Sequence, residues 1–398
     1  MFAGKKIIIG ITGSIAAYKS AELVRLFIKL GADVKVVMTT HACEFITPLT
    51  LSTLSKNPVH LHMVSDTGNE WNNHVDLANW ADLLLIAPAT ASILSKMANG
   101  ACDNMLTAVY LSASCPVYVA PAMDLEMVRH PSTKQNIQKL ESFGNKIIYP
   151  VKGELASGLH GEGRMEEPAE IIRKIESDVI RQLPLYKKKI LVTAGPTYEN
   201  IDPVRFIGNY SSGKMGYAIA EVLANKGAEV DLVSGPVTLS TIHPKIKIHR
   251  VVSAKDMYEH CLKIFPSVQG AVMAAAVADF TPSVKNAEKI KKSKALSTIP
   301  VQATSDILEK LGTLKKKNQF LVGFALETDE GIISAKEKLK KKNLNFIVLN
   351  SLTDKGAGFG TNTNKISIID RNNKIATFGL KDKSEVAHDI VEKIITLF

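Results

Sequence analysis

The chain has 398 residues, of which 45% are hydrophobic and 22% charged, and its formal net charge is +10. This composition is ordinary for a globular protein, and the length predicts two or three domains of ~150 residues. No apolar stretch reaches the ~20 residues that a membrane-spanning helix needs, and four scattered cysteines exclude a disulfide framework and a zinc ribbon. With no visible targeting segment, we expect a cytoplasmic location.

The first half opens like a nucleotide-binding fold. Residues 5–38 read KKIIIGITGSIAAYKSAELVRLFIKLGADVKVVM: a buried strand, a Gly-rich turn, an amphipathic helix and a second strand. Further apolar runs predict a parallel sheet covered by helices on both faces. The predicted strands are 6–11, 34–38, 82–86, 116–120 and 146–148, and the predicted helices are 15–30, 45–54, 91–99, 103–112, 132–143 and 168–182. The Gly-rich, aperiodic stretch 150–166 is expected to be a loop or flap.

The second half repeats the same plan. Residues 188–233 again read strand, turn, helix and strand, but with a long insertion between the first strand and the helix. The predicted strands are 189–194, 229–233, 247–251, 270–274, 319–324, 345–349 and 365–370, and the predicted helices are 213–226, 254–265, 304–312, 329–342 and 383–396. The fold class is therefore α/β, with two doubly wound Rossmann-like domains at 1–187 and 188–398.

The positive charge is concentrated in two lysine clusters, at 285–294 and 336–342. Such clusters can be solvated loop and helix faces, or they can hold a polyphosphate ligand. An extended nucleic-acid surface is a weaker interpretation, because aromatic content is only 6% and no stacking motif is visible.

The first candidate site is the turn of GITGSIAAYK. Gly10, Gly13 and Ser14 place backbone N–H groups at a helix N-terminus, where a phosphate binds favourably. No acidic residue closes the second strand, so a mononucleotide is favoured over a dinucleotide. The stretches APATA (87–91) and PAMD (121–124) each follow a predicted strand, at the sheet edge where ligands of open α/β sheets bind.

These stretches, with His74 in NNHVDLANWAD, resemble the flavoprotein family of FMN-binding cysteine decarboxylases. Joined to the second half, they resemble the bifunctional phosphopantothenoylcysteine decarboxylase/phosphopantothenate–cysteine ligase family of coenzyme A synthesis. The resemblance implies a flavodoxin-like first domain, in which the flavin oxidises the substrate thiol to a thioaldehyde that serves as electron sink. His74 would be the acid/base residue. The implied FMN contacts are Gly13, Ser14, Ile15, Thr39, Phe45, Thr90 and Met123.

Two residues depart from the family pattern. Asp124 stands where the family has an asparagine near the substrate carboxylate, and two carboxylates in one pocket repel unless one is protonated. Ser157 stands where the flap often has a cysteine as proton donor, and a hydroxyl is a far weaker acid than a thiol of pKa ~8.5. Both are expected to belong to the catalytic set.

The second candidate site lies in the insertion. The stretch 208–214 (GNYSSGK) imitates a P-loop, but Met215 replaces the serine or threonine that would hold magnesium, and no strand directly precedes it. The long turn of the ligase family is a better match, and its motifs correspond to TAGPT (193–197), IDPVR (201–205) and NYSSGKMG (209–216).

The family ligase activates a carboxylate with CTP as an acyl-cytidylate, which the cysteine amine then attacks. By resemblance Asn209 orients the acyl-phosphate, and Lys289, on a mobile lysine loop, neutralises phosphate charge. The other implied CTP contacts are Ala275, Asp279, Ser305, Asp306, Ile307, Leu308, Phe324, Lys338 and Lys342. Lys338 and Lys342 share one helix face through their i, i+4 spacing, although a merely solvated face would look the same. Mg²⁺ is expected with CTP, but no protein ligand for it can be assigned.

Asp124 and Ser157 also permit an alternative, in which the FMN-binding half is catalytically impaired and fused to an active ligase. A third hypothesis is a basic flavin-containing nucleic-acid-binding protein, which a steep salt dependence of binding would reveal. We expect small-molecule substrates (4′-phosphopantothenate, cysteine and CTP), with no nucleic acid and no membrane partner. The resemblance implies a homo-oligomer with trimeric decarboxylase and dimeric ligase contacts.

Overall fold

The computed structural model describes residues 2–64, 73–291, 298–327, 331–351 and 361–398. The chain divides into two compact units, Met1–Val179 and Ile180–Phe398. Each unit is built on its own largely parallel sheet with flanking helices, so the predicted α/β class is confirmed. The lysines at 292–294 and the predicted helix start at 329 lie outside the described residues.

The first unit is a parallel sheet of six strands in the order β3-β2-β1-β4-β5-β6. Without the edge strand β3, the remaining five strands have the order 2-1-3-4-5 of the flavodoxin fold. The strands are β1 (Lys6–Ile11), β2 (Asp33–Met38), β3 (Val59–His60), β4 (Leu83–Ala89), β5 (Val117–Pro121) and β6 (Lys146–Ile147). The helices are α1 (Tyr18–Lys29), α2 (Pro48–Ser55), α3 (His74–Trp80), α4 (Ala91–Asn99), α5 (Met105–Ser112), α6 (Leu125–Arg129), α7 (Pro131–Ser142) and α8 (Pro168–Gln182).

The Gly-rich opening turn is tighter than a simple helix start. Ser14 caps a short 3₁₀ helix, Ile15–Ala17, and α1 follows it at Tyr18. Gly31 then ends the helical segment with φ +82°, a conformation that costs a residue with a Cβ considerably more. The predicted helix 15–30 is thus a 3₁₀ turn followed by an α-helix.

The stretch 150–166, predicted to be a loop or flap, is a flap with regular backbone pairing. This segment is an antiparallel hairpin of β7 (Val151–Glu154) and β8 (His160–Arg164). It has no alternating apolar pattern, because several of its positions are glycines, of which Gly161 lies against Leu125 and Gly163 against the Met123 carbonyl. We call residues 151–164 the flap.

The second unit has an eight-stranded sheet in the order β13-β12-β9-β14-β17-β18-β20-β21, in which every pairing is parallel except the last two, β18 with β20 and β20 with β21. Its strands are β9 (Lys189–Ala194), β10 (Tyr198–Asn200), β11 (Phe206–Gly208), β12 (Glu229–Ser234), β13 (Ile246–Arg250), β14 (Gly270–Met273), β15 (Phe280–Pro282), β16 (Val301–Ala303), β17 (Phe320–Glu327), β18 (Phe346–Ser351), β19 (Thr363–Asn364), β20 (Ile366–Asp370), β21 (Ile375–Thr377) and β22 (Lys381–Asp382). Its helices are α9 (Lys214–Asn225), α10 (Ala254–Ile264), α11 (Ile307–Leu314), α12 (Gly331–Lys341) and α13 (Lys383–Ile395).

The long insertion is folded rather than irregular. β10 and β11 form an antiparallel hairpin, and the rings of Tyr198 and Phe206 stack with their centroids 3.8 Å apart. A second two-stranded arm, β15 with β16, flanks the lysine-rich loop. Neither hairpin was predicted, because strands of three residues are too short to show a period of two.

Over the described ranges, no helix combines the length and the apolar character that crossing a membrane requires.

Candidate functional sites

In the first unit, the loops after β1 and β4 meet at the point where the strand order reverses. The Thr12 hydroxyl donates to the Pro88 carbonyl (2.7 Å) and accepts from the Thr90 amide (3.1 Å). A Cβ on Gly13 would lie 2.7 Å from the Cβ of His41, so the turn closes tightly on the segment that begins at Thr39. The predicted contacts Gly13, Thr39 and Thr90 are therefore neighbours at one sheet edge.

This edge combines hydrogen-bonding groups with exposed apolar side chains. The Ser14 and Thr90 hydroxyls each cap a helical turn, and Ile15, Tyr18 and Phe45 are 59%, 58% and 43% exposed. Backbone N–H groups at helix starts suit a phosphate, and unburied apolar side chains suit a flat aromatic ring. These residues fit a flavin mononucleotide.

Lys19 of the GSIAAYK motif lies in the interior. Its side chain is 4% exposed, and Nζ donates to the Met165 carbonyl (2.9 Å) and to Glu167 Oε1 (3.0 Å). The lysine therefore ties α1 to the chain immediately after the flap, and its role is structural.

The flap packs directly on the PAMD segment. The Met123 amide donates to the Gly163 carbonyl (3.1 Å), and a Cβ on Gly163 would lie 2.3 Å from the Met123 carbonyl oxygen. Asp124 caps α6, with Oδ1 accepting from the Leu125 amide (2.6 Å). Ser157 is exposed in the turn between the two flap strands.

His74 is the first residue of α3. Asn73 caps this helix by accepting from the amides of Val75 and Asp76. The imidazole is partly buried, at the start of a helix that packs against α5.

The second unit contains a cleft of about 700 Å³. It opens beyond the carboxyl ends of β9 and β14, where the strand order of this sheet reverses. All but one of the residues predicted for the second site line it, namely Asn209, Ala275, Asp279, Ser305, Asp306, Ile307, Leu308, Phe324, Lys338 and Lys342. The exception is Lys289, which is exposed on the loop after β15 and does not line the cleft.

Hydrogen bonds from two threonines and Asn209 fix the loop after β14. Thr193 Oγ1 accepts from the Ala275 amide (3.1 Å), and Thr197 Oγ1 accepts from the Ala278 amide (2.9 Å). Asn209 Nδ2 donates to the carbonyls of Ala276 and Val277, both at 3.1 Å. The insertion is thus bound to this loop across the cleft floor.

The basic wall of the cleft contains a paired carboxylate. Lys342 donates to Asp306, and Lys338 Nζ lies 3.5 Å from the Phe324 carbonyl. Burial raises the pKa of Asp306, but the bonds from Lys342 and the Glu309 amide outweigh this and hold it below its ordinary value. Lys338 and Lys342 therefore line the cleft and do not form a merely solvated helix face.

Sequence reasoning missed several polar residues that line the cleft: Lys214, Asn350, Asn364 and Lys383. Lys383 is nine-tenths buried and donates to the Thr361 carbonyl (2.8 Å); burial and then Lys214 lower its pKa. The motif match contained Lys214 without assigning it a role. Lys383 gave no signal, since it opens an amphipathic C-terminal helix as a surface lysine would.

No metal centre is preformed in the part of the chain that the structure describes. Within those residues, no group of three or more His, Cys, Asp or Glu side chains could hold an ion.

Comparison with known proteins assigns the family. A Flavoprotein family model matches residues 1–180, and a model for the DNA/pantothenate metabolism flavoprotein C-terminal domain matches 185–397. The coenzyme A biosynthesis bifunctional protein CoaBC of Bacillus subtilis is 41% identical over 399 residues, covering 100% of this chain and 98% of its own. The chain belongs to the CoaBC family. CoaBC of Vibrio parahaemolyticus is 43% identical over 394 residues, covering 98% of each chain.

Members of the CoaBC family are bifunctional, so this chain is a decarboxylase and ligase of coenzyme A biosynthesis. Another relative, from an unknown prokaryotic organism, carries the name cysteine/cysteine sulfinic acid decarboxylase. It is 54% identical over 356 residues, covering 88% of this chain and 99% of its own.

Two solved structures are also similar. The C-terminal domain of a CoaBC protein is 39% identical, covers 54% of this chain and 98% of its own, and has a TM-score of 0.47. A PPC decarboxylase mutant complexed with pantothenoylaminoethenethiol is 34% identical, covers 44% and 98%, and has a TM-score of 0.41.

Proposed function

We propose that the second unit joins cysteine to 4′-phosphopantothenate through an acyl-cytidylate made from CTP and Mg²⁺. The first unit then uses FMN to decarboxylate phosphopantothenoylcysteine to 4′-phosphopantetheine. The observation that carries the proposal is the cleft, because residues far apart in the sequence and selected by motif converge on one cavity.

In the ligase, the cleft supplies charge and orientation. Lys338 and Lys342 neutralise the triphosphate, and Asp306 holds Lys342 in place until the anionic ligand arrives. Asn209 directs its amide toward the loop that carries Ala275 and Asp279, where an acyl-phosphate would develop negative charge. Lys289 lies outside the cleft lining, and its long side chain would extend from the loop after β15 toward the phosphates of bound CTP.

In the decarboxylase, the flavin would be held by Gly13, Ser14, Ile15, Thr39, Phe45, Thr90 and Met123. When bound, the flavin would supply reversible two-electron chemistry, taking an electron pair from the cysteine thiol and returning it after CO₂ is lost. His74 would transfer a proton, since an imidazole can act as a general acid and a general base. Asp124 would lie close to the substrate carboxyl, and Ser157 would act from the turn of the flap.

We further propose that the protein forms a homo-oligomer with trimeric decarboxylase and dimeric ligase contacts. We also propose that it is located in the cytoplasm. The lysine clusters serve phosphate-bearing substrates rather than nucleic acid. No comparison favours the alternative in which the flavin-binding half is catalytically impaired.

A single incubation tests both halves. Purified protein is supplied with 4′-phosphopantothenate, cysteine, CTP and Mg²⁺, and the products are identified by mass spectrometry. We expect 4′-phosphopantetheine, CMP, pyrophosphate and CO₂. Accumulation of phosphopantothenoylcysteine would show an inactive decarboxylase, and no product from a folded, flavin-loaded protein would refute the proposal.

One observation favours a second substrate, free cysteine. The nitrogen of phosphopantothenoylcysteine is an uncharged amide, whereas free cysteine carries an ammonium group that a carboxylate at Asp124 would attract. The relative that is 54% identical is named a cysteine/cysteine sulfinic acid decarboxylase. We propose that the first unit also converts cysteine to cysteamine and CO₂.

Asp124→Asn separates the two substrates. We expect the variant to lose about tenfold in kcat/KM for cysteine, while phosphopantothenoylcysteine is used at least as well as before. The measurement is CO₂ release from each substrate at equal flavin content. Equal losses for both substrates would contradict a specific role for the carboxylate.

A further inference from the structure

The hairpin of β10 and β11 reaches two parts of the proposed ligase machinery. Its second strand leads directly to Asn209, which lines the cleft. Its turn, residues 201–205, contacts the loop that carries Lys289. The hairpin therefore connects two residues that the proposed reaction needs but that are far apart in the sequence.

The centre of the contact is the carboxylate of Asp202, whose side chain has no exposed surface. Oδ1 accepts from the amides of Val204 and Arg205, both at 2.8 Å, and so closes the hairpin turn itself. Oδ2 accepts from the Arg205 guanidinium (3.1 Å) and from the Ile290 amide (3.2 Å). One oxygen thus serves the turn and the other serves the lysine loop.

Two further bonds secure the same loop. Arg205 Nη2 donates to the Ile290 carbonyl (3.3 Å), and the Asn286 amide donates to the Ile201 carbonyl (3.0 Å). Ile290 is thereby held through both its N–H and its C=O. Since Lys289 immediately precedes Ile290, these bonds fix where its long side chain starts.

A fully buried carboxylate is costly unless its charge is compensated by hydrogen bonds. Burial raises the pKa of Asp202, but the amides of Val204, Ile290 and Arg205, with the Arg205 charge, hold it below its ordinary value. The local turn needs only one acceptor oxygen. The second oxygen, Oδ2, instead accepts from the loop at Ile290 and from Arg205, which itself also bonds the loop.

We propose that Asp202 is a positioning residue of the ligase, which anchors the lysine loop so that Lys289 stays within reach of the nucleotide. Asp202 acts through Lys289 and touches no substrate. This inference rests on the proposed ligase function, whereas the anchoring itself can be measured without any substrate.

Asp202→Asn is the decisive variant. An amide keeps one oxygen for the turn, but its NH₂ group cannot accept from Ile290. The matched control is Asp370→Asn: Asp370 Oδ1 accepts from the amides of Asn372 and Lys374, and Oδ2 accepts from Lys393. Asp370 thus makes the same kind of turn, with no bond to the loop.

The first readout is trypsin cleavage of the bond between Lys289 and Ile290, followed by mass spectrometry. Cleavage requires the Ile290 amide to leave Asp202, so we expect it about tenfold faster in Asp202→Asn and unchanged in Asp370→Asn. Arg205→Met, which alters a side chain that is 46% exposed, should accelerate cleavage to a smaller extent. Cleavage of Asp202→Asn at the wild-type rate overturns the proposal.

The second readout is pyrophosphate release from CTP in the presence of 4′-phosphopantothenate. We expect Asp202→Asn to lower kcat/KM for CTP about tenfold, and to add nothing in a Lys289→Gln background, since both changes remove the same contribution. Additive losses would show that Asp202 does not act through Lys289. If the wild type releases no pyrophosphate, the ligase proposal fails, and the cleavage rates alone decide whether Asp202 anchors the loop.

Discussion

Single side chains in this protein often have a role that their motif does not show. Lys19 lies in the GSIAAYK motif, beside the proposed phosphate-binding turn, where a cation would be read as a phosphate ligand. The structure buries it and bonds it to Met165 and Glu167. Lys342, which the sequence could equally place on a solvated face, lines the cleft and pairs with Asp306.

Lys19→Met should therefore destabilise the first unit. The Met165 carbonyl would stay buried without its donor, so we expect the free energy of unfolding to fall by ~1–3 kcal/mol. Lys96→Met is the control, because Lys96 pairs with Asp103 near the surface and its loss should cost less than ~1 kcal/mol. Denaturant titration, monitored by the release of flavin, measures the free energy of unfolding of both variants. Equal losses in the two variants would contradict a structural role for Lys19.

At the scale of elements, the flap depends on glycine where its backbone meets Met123. Gly163→Ala would place a Cβ against the Met123 carbonyl, whereas a Cβ on Gly153 meets only the flexible side chain of Arg164. We expect Gly163→Ala to lower decarboxylase kcat/KM at least tenfold and Gly153→Ala to lower it less than twofold. Measured CO₂ release that ranks the two variants in the opposite order would refute this role of the flap.

The end of α12, the helix that bears Lys338, gives a pH-dependent prediction. Lys315 donates to the carbonyl of Asn343, which follows α12, and burial, then Arg371, lower the pKa of Lys315 from 10.5 to about 8. Between these values the unfolded chain binds more protons than the folded one, so this group makes stability rise with pH from about 8 to 10.5. The slope of unfolding free energy against pH should be less positive in Lys315→Met and unchanged in a variant of the exposed Lys317. Equal slopes in the wild type and Lys315→Met would contradict the lowered pKa of Lys315.

For the whole molecule, the structure refines where the chain can be divided. α8 continues to Gln182, and Ile171 and Ile175 bury it in the core of the first unit. Leu185 is fully buried in a core of the second unit. The sequence-based boundary at 187/188 would therefore remove Leu185 from the domain in which it packs.

We expect separately produced fragments 1–182 and 183–398 to keep their own activities. A fragment that starts at residue 188 should be less stable than 183–398 by ~2–5 kcal/mol, because it lacks Leu185. Thermal unfolding and CTP-dependent ligation measure the difference. Equal stability of the two ligase fragments would show that Leu185 contributes little.

The sequence by itself determined the α/β class, the central strands and most helices, because buried apolar runs and helical periodicity are local signals. Nearly all the residues that it predicted for the second site line the cleft, since motifs of fixed spacing can be recognised in the sequence alone. The flap hairpin, the β10–β11 hairpin and the anchor from Asp202 to Ile290 were decided only by tertiary structure. Their strands are short, and hydrogen bonds between residues 88 positions apart leave no local pattern. Lys383 was missed for the same reason: its burial depends on what packs around it.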